Sequence, residues 1–255
     1  MTTTRDKDEL RDALQEHFGF DNFREGQRDI VEQVLDGKDV LAVMPTGSGK
    51  SLCYQFPACI LEGTTIVVSP LIALMKDQVD ALRNFGVAAT LINSSIGFQE
   101  QQARMLEMAQ GDYRIVYVAP ERFQNDNFLN AIRDTDVELL AVDEAHCISQ
   151  WGHDFRPDYL KLGDVREMLG EPPTIALTAT ATNLVQRDIL ENLGTPGAEV
   201  VVSGFERPNL FYEVYVAGGD EDKLSRLEKV VEHWRGESVV VYCATRRQVD
   251  EVTRG

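Results

Sequence analysis

Apolar residues along this chain follow two rhythms that take turns. Short unbroken runs at 40–43, 64–69, 87–92, 113–119, 137–142, 174–177 and 199–202 have the length of strands buried on both faces. Between them the spacing shifts to three and four. Residues 5–18 put Leu10, Ala13, Leu14, His17 and Phe18 on one helical face, closed by Gly19. The next helix carries Ile30, Val31, Val34 and Leu35 and stops at Gly37. Residues 71–85, with Leu74, Val79 and Leu82 turned to the core, are expected to be helical, as are 98–109, 125–133 and 183–193. Residues 158–169 continue the alternation. Strand alternating with helix implies an α/β fold, a parallel sheet covered by helices with ligands at the carboxyl ends of its strands.

Past residue 203 the pattern restarts. Residues 204–209 read as a connector, followed by a strand at 210–216, a Gly-Gly-Asp turn, a helix at 221–234, a strand at 238–243 and a helix opening at Arg246. This gives a first domain over 1–203 and only the start of a second over 210–255, since a domain needs at least about 50 residues and usually more.

The run at 40–43 leads into Met44-Pro45-Thr46-Gly47-Ser48-Gly49-Lys50-Ser51. Pro45 ends the ladder, and Gly47 and Gly49 allow the positive φ that turns successive N–H groups into one concavity. Lys50 and Ser51 open a helix whose N-terminus favours anions. Such a turn cradles phosphates, with Lys50 toward the β and γ oxygens and the Ser51 hydroxyl for Mg²⁺. Met44 stands where the general phosphate-loop pattern has its first glycine. Upstream, Gln27 offers an amide donor and acceptor suited to adenine, with Phe20 or Arg24 available to stack on the ring. A second signal closes the run at 137–142, in Asp143-Glu144-Ala145-His146. A carboxylate leaving a buried strand beside a phosphate loop can hold Mg²⁺, here Asp143, and the next, Glu144, can take a proton from the attacking water.

Composition narrows the partners. No apolar stretch approaches the roughly 18 residues of a membrane span, and the amino terminus lacks a signal peptide's apolar core, so the chain is expected to be cytoplasmic. Cys53, Cys59, Cys147 and Cys243 are scattered with no C-x-x-C pair, so neither a zinc site nor a disulfide framework is expected. The formal net charge is −17. Such a surface repels nucleic acid at long range, so any DNA contact must be local, and it fits a cytoplasm of high ionic strength.

Taken together the motifs resemble superfamily 2 helicases and, within them, the RecQ family of DNA helicases. Residues 20–27 are similar to that family's nucleotide-recognition motif, with Glu25 where a Pro is usual, and 44–51 to its phosphate loop, including the Met. Residues 68–79 and 117–122 look like DNA-contact motifs, 177–182 (with Thr178 and Thr180) like the motif linking hydrolysis to domain movement, 205–209 like the interdomain linker, and 239–246 like the first motif of a second RecA-like domain. The most family-specific stretch, 149–159, resembles the aromatic-rich loop that couples single-stranded DNA to hydrolysis. In it Trp151 and Phe155 offer stacking faces, Arg156 can meet a phosphate or base, and Gln150 and His153 complete the segment. The resemblance implies RecA-like domains, ATP and Mg²⁺ as cofactors, Lys50, Asp143, Glu144 and His146 as catalytic residues, and single-stranded or junction DNA as partner. An RNA helicase of the Asp-Glu-Ala-His or Asp-Glu-Ala-Asp type and a non-catalytic nucleotide- or DNA-binding module are the alternatives.

Overall fold

Each apolar run before residue 203 becomes a strand of one sheet in the computed structural model, which describes residues 7–152, 154–203 and 210–254. The strands are β1 (Val40–Val43), β2 (Thr64–Val68), β3 (Ala89–Ile92), β4 (Ile115–Val118), β5 (Val137–Val142), β6 (Thr174–Thr178) and β7 (Glu199–Val202). They run in the order β3-β4-β2-β5-β6-β1-β7, and every pairing is parallel. Side chains alternate across the pleat, so both faces must be covered. Val40 and Ala42 join a core under α1 (Lys7–Phe18), α2 (Gln27–Leu35), α3 (Leu52–Ile60) and α4 (Ile72–Asn84). Leu41 and Val43 join the opposite core, under α5 (Phe98–Ala109), α6 (Asp126–Arg133), α7 (Leu162–Met168) and α8 (Asn183–Asn192).

The end of the sheet away from the strand carboxyl termini is held by a buried polar knot. The Arg166 guanidinium donates to Asp39 Oδ2 at 3.0 Å and to Thr174 Oγ1 at 3.0 Å, while Asp39 Oδ1 accepts from the Thr174 amide at 2.9 Å. A single side chain of α7 thereby pins the starts of β1 and β6, which fixes the register of the two strands whose far ends build the site.

Two expectations fail. Leu74 is 51% exposed, and the core face of α4 is carried by Met75, Val79 and Leu82. Those three lie at i, i+4 and i+7 and turn Leu74 about 100° away from the sheet. Residues 210–216 and 238–243 form no strand: among the described residues neither segment pairs in a β-ladder, and Phe211, Val214, Val216, Val240 and Tyr242 are exposed. A strand is completed by its pairing, and neither segment has any.

The chain divides into two compact units, residues 1–206 and 207–255. Within the second, α9 (Asp220–His233) and α10 (Arg246–Arg254) are the regular elements among the described residues. The linker expected at 204–209 lies outside the described residues.

Candidate functional site

The site sits where β1, β5, β6 and β2 end. Beyond Val43 the chain stays in the sheet for one more residue, with the Met44 amide donating to Thr178 O at 3.0 Å. It then turns through Gly47 and Gly49, both at φ +82°. A Cβ on Gly49 would lie 2.6 Å from Gln27 Nε2, so close approach as well as φ demands glycine there. Met44 is buried, with Sδ 4.0 Å from Cys53 Sγ in α3. It fills space between the loop and its helix that a glycine would leave empty. The Ser48 hydroxyl is buried with no hydrogen-bond partner among the described residues, a polar atom inside the loop that suits a phosphate-bearing ligand.

Gln27 is buried and fully engaged with the chain itself. Its Oε1 accepts from the Arg24 amide at 2.8 Å, and its Nε2 lies 3.1 Å from Ser48 O and 3.0 Å from Gly49 O. Arg24 Nη1 donates to Gly47 O at 2.9 Å. Both side chains expected to meet adenine therefore clasp the phosphate loop here, and pairing with a base requires Gln27 to exchange those bonds. Phe20, half exposed, stacks parallel to Phe18 with centroids 6.4 Å apart. Phe20, Arg24 and Gln27 line one cleft with Phe85, Gln55 and Gln78.

Lys50, Ser51, Asp143 and Glu144 converge on an adjoining cleft of about 330 Å³, together with Gly47, Gly49 and Tyr117. Burial pushes the Asp143 carboxyl up to about 6, helped by the neighbouring Glu144 and opposed by the Lys50 charge. A carboxylate in that state gains most from a bound cation, so Asp143 and Ser51 fit Mg²⁺. Glu144 occupies the left-handed region at φ 48°, ψ 44°, a conformation a non-glycine residue adopts at a cost, and one often found at functional sites. Its amide donates to Asp143 Oδ1 at 3.0 Å. His146 Nδ1 stands 2.9 Å from Thr178 Oγ1 and 3.3 Å from Glu144 Oε2. Because the Thr178 hydroxyl donates to Thr180 O at 3.1 Å, it accepts from His146, which places the imidazole proton on Nδ1. The box and the end of β6 thus form one hydrogen-bonded unit.

The loop at 149–159 is tied to that unit. The Arg156 amide donates to Cys147 O at 2.9 Å, and the buried Tyr159 hydroxyl donates to Asp143 O at 3.1 Å. A Cβ on Gly152 would lie 2.5 Å from His146 O, so the loop folds directly back on the box. Trp151 is 71% exposed, so its indole is available for contact and contributes little to a core. Gln150 is exposed and Phe155 half buried, and Arg156 pairs with Asp154 at 3.0 Å. His153 lies outside the described residues.

Sequence reading gave no role to a polar cluster beside the cradle. Gln55 Nε2 donates to the Tyr117 hydroxyl and to Gln78 Oε1, both at 2.9 Å, and Tyr117 and Tyr54 hydroxyls lie 3.3 Å apart. It joins the helix after the phosphate loop to two stretches read only as DNA-contact motifs. The signal available was single polar side chains, Gln55 and Gln78 on α3 and α4 and Tyr117 on β4, in elements otherwise read for their apolar faces.

Residues 24–188 match the DEAD/DEAH box helicase family. The chain belongs to that family. As a DEAD/DEAH box helicase domain it has ATP as its ligand, in keeping with the cradle and the box. It is 43% identical over 94% of its length to an ATP-dependent DNA helicase RecQ of Pasteurella multocida, and 45% identical over 94% to that of Bacillus subtilis. It spans 38% and 40% of those proteins' lengths. The helicase fold is matched by the DNA- and AMPPNP-bound DUF1998 helicase MrfA, with a TM-score of 0.69 over 99% of this chain and 38% of that one, at 16% identity. Among the described residues no helix is long and apolar enough to cross a membrane.

Proposed function

We propose that this helicase domain is the ATPase motor of a RecQ-type, ATP-dependent 3′-to-5′ DNA helicase, in which single-stranded DNA on the 149–159 loop stimulates hydrolysis in the adjoining cleft. The loop-to-box linkage supports this reading best: Tyr159 bonds the backbone of the acid that would hold the metal, and Arg156 bonds the backbone of Cys147, next to His146. A shift of the loop on a base or phosphate reaches Asp143 and His146 through those bonds.

In this reading the amides of 46–51 and the Lys50 ammonium bind and orient the phosphates of ATP. Ser51 and Asp143 would hold Mg²⁺, which would supply positive charge against the phosphates. Glu144 accepts the proton of the attacking water, and His146 with Thr178 and Thr180 keeps Glu144 aimed. Phe20, Arg24 and Gln27 take the base once Gln27 releases the loop. The cytoplasm is the compartment that suits these substrates.

The test uses the chain as it stands, with a fluorescent ATP analogue and labelled oligonucleotides. Glu144→Gln should retain ATP binding while lowering residual turnover by about 10²–10⁴. Trp151→Ala should weaken single-stranded DNA binding roughly tenfold, given about 1–3 kcal/mol for a base stacked on an aromatic ring, with an unchanged melting temperature. Tighter binding of single-stranded RNA than of DNA would favour the RNA-helicase alternative.

A further inference from the structure

The ATPase reading uses His146 only through Nδ1, and leaves its Nε2, Cys147 and Asp154 without a role. His146 Nε2 lies 3.9 Å from Cys147 Sγ, which lies 3.8 Å from Asp154 Oδ2. All three atoms fall within 4.8 Å of one another, and no other grouping of three such side chains occurs among the described residues. We propose that His146, Cys147 and Asp154 form a binding site for a thiolate-seeking divalent transition metal, Zn²⁺, which clamps the 149–159 loop onto the box.

The geometry is close to ligation. A point equidistant from three atoms at these spacings lies about 2.5 Å from each, within a few tenths of the ~2.0–2.3 Å bonds zinc makes to N, O and S. The imidazole is prepared for it: with the proton on Nδ1 toward Thr178, Nε2 carries the lone pair and faces the thiol. The Glu144 carboxylate 3.3 Å from Nδ1 and the Thr178 hydroxyl act as the outer hydrogen-bond partners that fix a metal-bound histidine's tautomer. Cys147 and His146 are buried and Asp154 is exposed, so an ion enters from the loop side and keeps an open position for water. The set H-C-x₆-D lacks the paired cysteines of familiar zinc motifs, so the expectation of no zinc site rested on a pattern this cluster does not follow.

Binding converts the Cys147 thiol to a thiolate, releasing its proton to solvent as the Zn–S bond forms. No redox partner is needed. Arg156 now donates to Asp154 Oδ2 from both Nε and Nη2, at 3.3 and 3.0 Å, and the ion must take that oxygen from it. Metal binding therefore tethers the loop to the box and strips its arginine of a partner. Zinc would act on the loop without occupying the nucleotide cleft.

Cobalt is the probe, because thiolate ligation gives it an intense near-ultraviolet charge-transfer band and tetrahedral coordination strong visible absorption. The nucleotide-free chain should bind one Co²⁺ with both signatures, and one equivalent of Zn²⁺ should abolish them. The band should persist when Cys53, Cys59 and Cys243 are all replaced by Ala, and vanish in Cys147→Ser. Asp154→Asn, a change at an exposed side chain, should weaken zinc at least about tenfold in competition with a chromogenic chelator. Weak absorption without a sulfur band, or a band that survives Cys147→Ser, would overturn the proposal. Should Cys147→Ser not fold, an unchanged zinc affinity in Asp154→Asn would overturn it equally. These readouts need neither ATP nor DNA, so they stand apart from the helicase reading.

Discussion

Val40–Val43 and residues 238–243 are nearly the same kind of sequence, yet they end in opposite states. The first is wholly buried between β6 and β7; in the second, Val239 to Tyr242 are 40–93% exposed and unpaired. Both carry β-branched apolar side chains, so propensity does not separate them. What separates them is supply of neighbours. β1 has strands on both sides and helices over both faces, whereas residues 238–243 have no pairing strand among the described residues. The two α-helices of the second unit leave an apolar groove between Leu224, Leu227, Val231 and Val252. Ion pairs tell the same story. Arg166 and Asp39 are 9% and 24% exposed and sit in a network, while Arg226 and Asp222 are each 43% exposed.

The largest expected contrast is in amide exchange. Amides of β1 and β5 should exchange only through global opening, and those at 238–243 near the rate of a free peptide, a difference of at least about 10³. Exchange mass spectrometry on the whole chain measures both at once. Equal protection would mean that residues 238–243 find a strand partner in solution, and the comparison would fail.

The ion pairs offer a sharper cut. Arg166→Ala should cost about 3–5 kcal/mol, since it leaves Asp39 uncompensated and releases the starts of β1 and β6. Arg226→Ala should cost no more than about 1 kcal/mol. Urea unfolding of both variants tests this, and similar losses would show that burial is not what sets the strength of these pairs.

The smallest contrast is in pH dependence. Asp143 titrates near 6 in the folded chain, above its unfolded value of about 3.9, so the folded state holds that proton more tightly. Its contribution is full below about pH 4 and lost as pH rises through 6. Asp143→Asn should therefore be more stable than the parent at pH 7 by roughly 3 kcal/mol, with the gain vanishing near pH 4. Asp222 runs the other way. The Gly218 amide, first, and then Arg226 hold it below the ordinary carboxylate range, so its contribution is present at neutral pH and fades on acidification. Melting midpoints of the two Asn variants against pH should diverge in sign; parallel profiles would remove desolvation as the cause at Asp143.

Local signals sufficed for much of this protein. Apolar runs of the right length found β5 and β7 to the residue, and three-four spacing found α5, because strand and helix periodicities are written in neighbouring positions. The phosphate loop and the Asp-Glu-Ala-His box were equally legible, since each needs particular residue types within a few positions of a strand end. Other features depended on groups far apart in the chain. Arg166 reaches Asp39 across 127 positions, and Tyr117 reaches Gln55 across 62. Gln27, well suited on paper to a base, spends its amide on the loop 21 residues on, and Leu74 faces solvent because the sheet selects the phase of its helix. Residues 210–216 and 238–243 carry the pattern of strands without the pairing. A backbone donor or a polar side chain takes whichever partner folding brings within about 3 Å, and that choice belongs to the tertiary structure.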